Sequence, residues 1–215
     1  WRSADVAWDD WDAVYLAATW DYPDDPQAFL RVLEAIDTSR AVLVNDLEIV
    51  RWNIPKTYLR DLEAGGAPIV PSRWYGRFAE CDLGADFAAF GADRLIVKPV
   101  VSTNARDTFL LDRAAAEQAG ESLARIFASR AFVVQPFIGA VQTEGEYSLF
   151  YIGDRFSHGI RKVPKAADFR VQEEHGATIE SAALTPEWGS MRMSRGPSCK
   201  KLNPRAGSSS CGEDT

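Results

Sequence analysis

The sequence predicts an α/β protein that opens on a parallel layer and continues into further strands and helices. Three observations carry this reading. Short apolar runs alternate with helical periods over residues 13–70. A later apolar run ends abruptly in Lys98-Pro99 and passes into a polar loop of small residues. Beyond residue 144, two strand-like runs flank a two-residue turn signal.

Residues 1–12 are rich in Trp and Asp and have no clear period. Residues 13–19 read as a buried strand. A helix is expected over residues 26–36, with Asp25 as N-cap and Pro26 in the first helical position. Phe29, Val32, Leu33 and Ile36 then share one face. Residues 41–44 form a second strand. Asn53 is expected to cap a helix that carries Pro55 in its first turn, runs to about Ala64 and stops at Gly65-Gly66. Residues 68–70 supply a third strand, and this alternation implies a parallel layer.

Residues 72–92 read as a loop and a short helix. Residues 95–97 form a buried strand that ends at Pro99, which cannot donate to a ladder. The Lys98 ammonium is thereby left at a strand tip, free to point into a cleft. Ser102, Thr103 and Asn104 follow with hydroxyls, an amide and backbone N–H groups, a set that can wrap a phosphate. A helix is expected over residues 112–129, with Leu123, Ile126 and Phe127 facing inward. Residues 131–138 form a strand. Residues 147–152 and 156–163 form a hairpin turning at Gly153-Asp154. From residue 186 the apolar period is lost, and residues 186–215 read as a disordered tail. The domain division expected is 1–70, 71–185 and this tail.

The formal net charge of −7 argues against a general nucleic-acid or membrane-surface binder. No apolar run approaches the roughly 20 residues that span a bilayer. Cys81, Cys199 and Cys211 are scattered without metal-type spacing, which fits free thiols in a reducing cytosol. No signal-peptide pattern is present, and a cytoplasmic location is expected.

Lys98-Pro99, Gln135-Pro-Phe-Ile138, Gly145-Glu146, Lys162-Val-Pro164 and Asp168-Phe-Arg170-Val-Gln172 stand in the order found in ATP-grasp ligases. The sequence resembles the branch related to prokaryotic glutathione synthetase, which includes cycloserine-type cyclo-ligases. Arg51-Trp-Asn53 and Trp20-Asp-Tyr22 belong to the same likeness, which runs from about Val14 to about Ala177. The resemblance implies a parallel α/β pre-domain and two α+β lobes, the second incomplete in this chain.

The resemblance also implies roles. Lys98 matches the strand-end lysine on the ATP phosphates, and Lys56, placed on the helix after Asn53, matches a lysine reaching the nucleotide from the other side. Ser102 belongs to the phosphate loop. Gln135 sits where the adenine amino group is recognised, with the backbone near Phe137 and Ile138 on the ring edge and their side chains against the base. Glu146 matches the carboxylate on the ribose hydroxyls. Lys162 and Arg170 take catalytic positions facing substrate or phosphate, with Gln172 beside them. They belong to a basic group of Arg155, Arg161, Lys162, Lys165 and Arg170, opposed only by Asp154 and Asp168.

The implied chemistry uses ATP, Mg2+ and small carboxylate and amine substrates. A carboxylate attacks the γ-phosphate to give an acyl phosphate and ADP, and an amine then displaces phosphate. Several departures accompany the likeness. Ala17-Ala18 stands where an arginine is usual, Ser102-Thr-Asn-Ala105 lacks the usual glycines, and Gly176-Ala177 replaces a Gly-Gly pair. The late strands carrying the magnesium ligands are not recognisable after Ala177, and the usual opening strand and helix are also missing. A chain truncated at both ends is therefore expected, with an inactive nucleotide-binding fragment as the alternative to a ligase.

Overall fold

The computed structural model describes residues 1–3, 5–152, 155–166 and 168–183. The expected turn at Gly153-Asp154 and the expected tail, with Cys199 and Cys211, lie outside the described residues.

The chain opens with β1 (Ala13–Tyr15), α1 (Pro26–Thr38) and β2 (Val42–Val44), and the two strands pair in parallel with Val14 opposite Leu43. Asp25 caps α1 by accepting from the Ala28 N–H. This satisfies one of the four N–H groups that a helix start leaves open. Phe29, Leu33 and Ile36 bury one face of the helix against Ala41, Leu47 and Ile54. Residues 16–19 do not extend the strand as expected. Their partner β2 ends at Val44, and the next residue, Asn45, has a φ of 74° that turns the chain away.

The expected helix cap at Asn53 is also corrected. Asp46 caps a helix α2 (Leu47–Asn53), so Asn53 ends a helix, and α3 (Tyr58–Ala64) follows after a turn. Lys56 lies in that turn rather than on a helix. Residues 68–70 form no strand, because Pro68 and Pro71 both lack the N–H that a ladder needs. The parallel layer is therefore two-stranded.

The middle of the chain builds a four-stranded antiparallel sheet with α4 and α5 packed on one face. Its elements are β3 (Arg73–Tyr75), α4 (Leu83–Phe90), β4 (Leu95–Pro99), β5 (Phe109–Leu111), α5 (Arg113–Ile126) and β6 (Phe132–Pro136). The strand order is β3-β6-β4-β5. Leu95, Val97, Phe132 and Val134 point to the helices and join Phe87, Leu123 and Phe127 in the core. The α5 helix stops before Phe127, which leaves the helix to fill the core at 0% exposure.

After α6 (Ala140–Thr143), an antiparallel sheet of β7 (Glu146–Ile152), β8 (Arg155–Val163) and β9 (Thr178–Ala182) completes the described chain. Gly145 immediately precedes β7 at φ +88°, and a Cβ there would lie 2.8 Å from the Lys162 carbonyl oxygen. Only glycine meets both demands.

Phe132 stacks on Tyr75 at 5.3 Å and tilts against Phe127 at 4.6 Å. Phe132→Ala is expected to cost about 3–5 kcal/mol in urea unfolding, the range for emptying a buried aromatic site. Asp25→Ala, which removes only a cap, should cost about 1 kcal/mol.

Candidate functional site

Strand alternation decides what reaches the cavity. In β4 the core takes Leu95 and Val97, so Ile96 and Lys98 face the other way. In β6 the core takes Phe132 and Val134, which leaves Gln135 beside Ile96, its cross-strand partner. These side chains floor a cavity of about 380 Å3, within the range of small-molecule sites. Lys56 and the loop of Ser102, Thr103 and Asn104 also line it, as do Glu146, Arg170 and Gln172. Phe137 and Ile138 line its end. A second cavity of about 320 Å3 lies over the ends of β1 and β2, among Leu16, Tyr22, Phe29 and Asn53. It contains no cationic side chain, so the larger cavity is the one suited to an anion.

The two lysines are the electrostatic centre. Lys56 Nζ donates to the Ser102 carbonyl oxygen at 2.9 Å and reaches Ser102 Oγ at 3.0 Å. Burial, followed by repulsion from Lys98 and Arg130, pushes its pKa down to about 8. Burial also lowers the pKa of Lys98, while Glu146 favours its charged form. The Lys98 ammonium has no hydrogen bond or ion pair among the described residues. Two desolvated ammonium groups beside one cavity create a demand for negative charge.

The phosphate-type loop lacks glycine yet takes glycine-like backbone. Asn104, Ala105 and Asp107 have φ values of 51°, 53° and 53°. Such left-handed residues cost about 1–2 kcal/mol each, so the loop must be held from outside. Arg130 binds the Asp107 carboxylate and the Val101 carbonyl. Thr103 donates to the Trp20 carbonyl at 2.9 Å, and Arg106 pairs with Asp24 at 2.6 Å. The Asn104 carbonyl lies 3.2 Å from His175 Nε2.

Arg170, which also lines the cavity, makes a two-pronged pair with Asp168. Asp168 also accepts from the Phe169 and Arg170 N–H groups, and together these donors, the guanidinium foremost, hold its pKa well below the usual range. Gln172 Oε1 is buried without a hydrogen-bond partner. Glu146 faces the cavity, and Lys162, its partner across β7 and β8, stands 3.3 Å from its carboxylate.

Of the nine residues singled out in the sequence, eight meet at this cavity: Lys56, Lys98, Ser102, Gln135, Phe137, Ile138, Glu146 and Arg170. Lys162 does not line it. The basic group also disperses, since Arg161 pairs with Glu180, Lys162 with Glu146 and Arg170 with Asp168. The Phe137 N–H is engaged with the Arg94 carbonyl, and Arg94 lies over the Phe137 ring at 4.4 Å. Sequence reasoning missed Ser72, Arg94 and Arg130. Ser72 was legible only through the pairing of β3 with β6, and a three-residue strand gives little periodic signal.

A family model described as the N-terminal domain of D-cycloserine synthetase DcsG matches residues 1–45. The cycloserine biosynthesis protein DcsG of Streptomyces lavendulae is 29% identical over 166 residues, covering 75% of this chain and 55% of that protein. The crystal structure of D-cycloserine synthetase DcsG superposes with a TM-score of 0.74 at 24% identity, over 87% of this chain and 65% of that one. The ATP-grasp ligase PsnB, in a structure with a phosphomimetic precursor variant, Mg and ADP, gives a TM-score of 0.54 at 17% identity, over 82% of this chain and 59% of that one. The chain has an ATP-grasp fold. The chain spans about half the length of the curated relative it matches. Among the described residues, no group of three His, Cys, Asp or Glu side chains is placed to hold a metal.

The lowered Lys56 pKa has a defined sign. Between about 8 and the ordinary 10.5, the unfolded chain binds a proton that the folded chain does not, so stability rises with pH through that window. Lys56→Met should abolish this increment in pH-dependent unfolding. An anion in the cavity should move the Lys56 NMR titration midpoint upward from about 8.

Proposed function

We propose that this chain forms the nucleotide-binding part of an ATP-dependent carboxylate–amine ligase. The observation that carries the reading is the convergence of Lys56 and Lys98 on one cavity that also holds Gln135 and Glu146. The lysines face the polyphosphate, one from each side. Two compact charges on flexible stems suit several phosphate oxygens. Gln135 Oε1 accepts from the adenine amino group, Ile138 lies on the base edge, and Glu146 accepts from the ribose hydroxyls. Lys162 keeps Glu146 in place through its ion pair.

Arg170 and Gln172 form the acceptor side. The guanidinium receives the substrate carboxylate and the acyl phosphate made from it. The orphaned Gln172 oxygen accepts from the incoming amine, a donor that would satisfy a buried group otherwise costing about 1–3 kcal/mol. The protein's contribution is positioning and charge neutralisation, and the reaction needs no side-chain nucleophile. The alternative reading is nucleotide binding without turnover.

Calorimetric titration with MgATP tests the first step. Saturable binding is expected, weakened about 10- to 100-fold by Lys98→Ala, the effect of losing a charge-assisted hydrogen bond. Binding unchanged in Lys98→Ala would sink the assignment. Phosphate release with a carboxylate and an amine present separates the ligase from the silent binder.

A further inference from the structure

Ser72 is absent from the lining of the cavity, yet it controls what Gln135 shows to it. Ser72 immediately precedes β3, whose register places Arg73 opposite Val134. Continuing that antiparallel register by one residue brings Ser72 opposite Gln135. The Ser72 hydroxyl donates to the Val70 carbonyl oxygen at 2.8 Å. Gln135 Nε2 donates to Ser72 Oγ, also at 2.8 Å.

A serine hydroxyl has one proton. Here that proton is committed to Val70, so Ser72 can only accept from the amide. The reverse amide orientation would turn Gln135 Oε1 toward Ser72 and demand the same proton. The Val70 carbonyl would then face a hydroxyl oxygen with no hydrogen between them. Gln135 is only 6% exposed, so water cannot freely rescue the reversed amide. Its Oε1 has no hydrogen-bond partner among the described residues and belongs to the side chain that floors the cavity.

We infer that Ser72 is a specificity-positioning residue: through its single proton it fixes Gln135 as an acceptor, which selects a nucleobase presenting an amino group and rejects one presenting a carbonyl. The inference rests on the nucleotide reading of this cavity. A 6-amino purine matches the exposed Oε1. A 6-oxo purine places oxygen against oxygen, and a buried acceptor left in that state is strongly disfavoured. Without the Ser72 hydroxyl the amide is free to reverse, and its Nε2 then suits the 6-oxo base.

The test is calorimetric titration of the full chain with MgATP and MgITP, which differ at this edge of the base. The wild-type chain should prefer ATP by about tenfold or more. Ser72→Ala should reduce that preference to about threefold or less, mainly by improving ITP binding, and Ser72→Thr should restore it. A loss of affinity for both nucleotides in equal proportion would indicate a merely structural role and overturn the inference. An unchanged ATP-to-ITP ratio in Ser72→Ala would do the same. If the wild-type chain binds neither nucleotide, the nucleotide reading itself fails.

Discussion

One antiparallel ladder, β4 against β6, governs the molecule. Side chains on paired strands must alternate between two faces. The face turned to α4 and α5 takes Leu95, Val97, Phe132 and Val134, and this burial anchors the sheet. The other face has no freedom left: it must present Ile96, Lys98 and Gln135. A slip of one residue would put the Lys98 ammonium into the core and Val97 into the cavity. The hydrophobic demand of the core therefore sets the position of the polar groups with no dedicated device.

The electrostatics follow from this placement. Lys98 stands on a strand that cannot move without breaking the core, so its desolvation is maintained by packing. Lys56 is fixed independently, through its backbone N–H on the Val100 carbonyl and its ammonium on Ser102. The surrounding cations are dealt with differently. Arg161, Lys162 and Arg170 each hold a carboxylate partner. The cavity thus gathers two lysines that have no ion-pair partner among the described residues, Lys56 and Lys98, within a chain whose net charge is negative.

The parts legible in sequence were those written in local chemistry. Asp25 and Asp112 announced their helices, and both cap as expected. The Lys98 strand was legible because an apolar run ended in Pro99. The parts not legible depended on partners remote in sequence. Asn53 looked like a helix start because Asn is a good cap, but Asp46 had already started a helix that Asn53 ends. β9 escaped notice because its residues are largely exposed and only the edge of β8 defines it as a strand. Lys162 looked like a cavity residue until β7 placed Glu146 opposite it. The meeting of Lys56, Gln135 and Arg170 could be expected only from resemblance, since these residues lie on three separate elements.

The loop after β4 has a mechanical consequence. Its left-handed residues are held by side chains from three directions: Arg130, the Trp20–Asp24 segment and His175. Asp24 also receives Arg2, so the tether continues into the opening residues. These contacts tie the loop to the segment before α1 and to the turn before β9. The loop works as a brace between otherwise separate sheets, and the glycines it lacks would have made it a hinge.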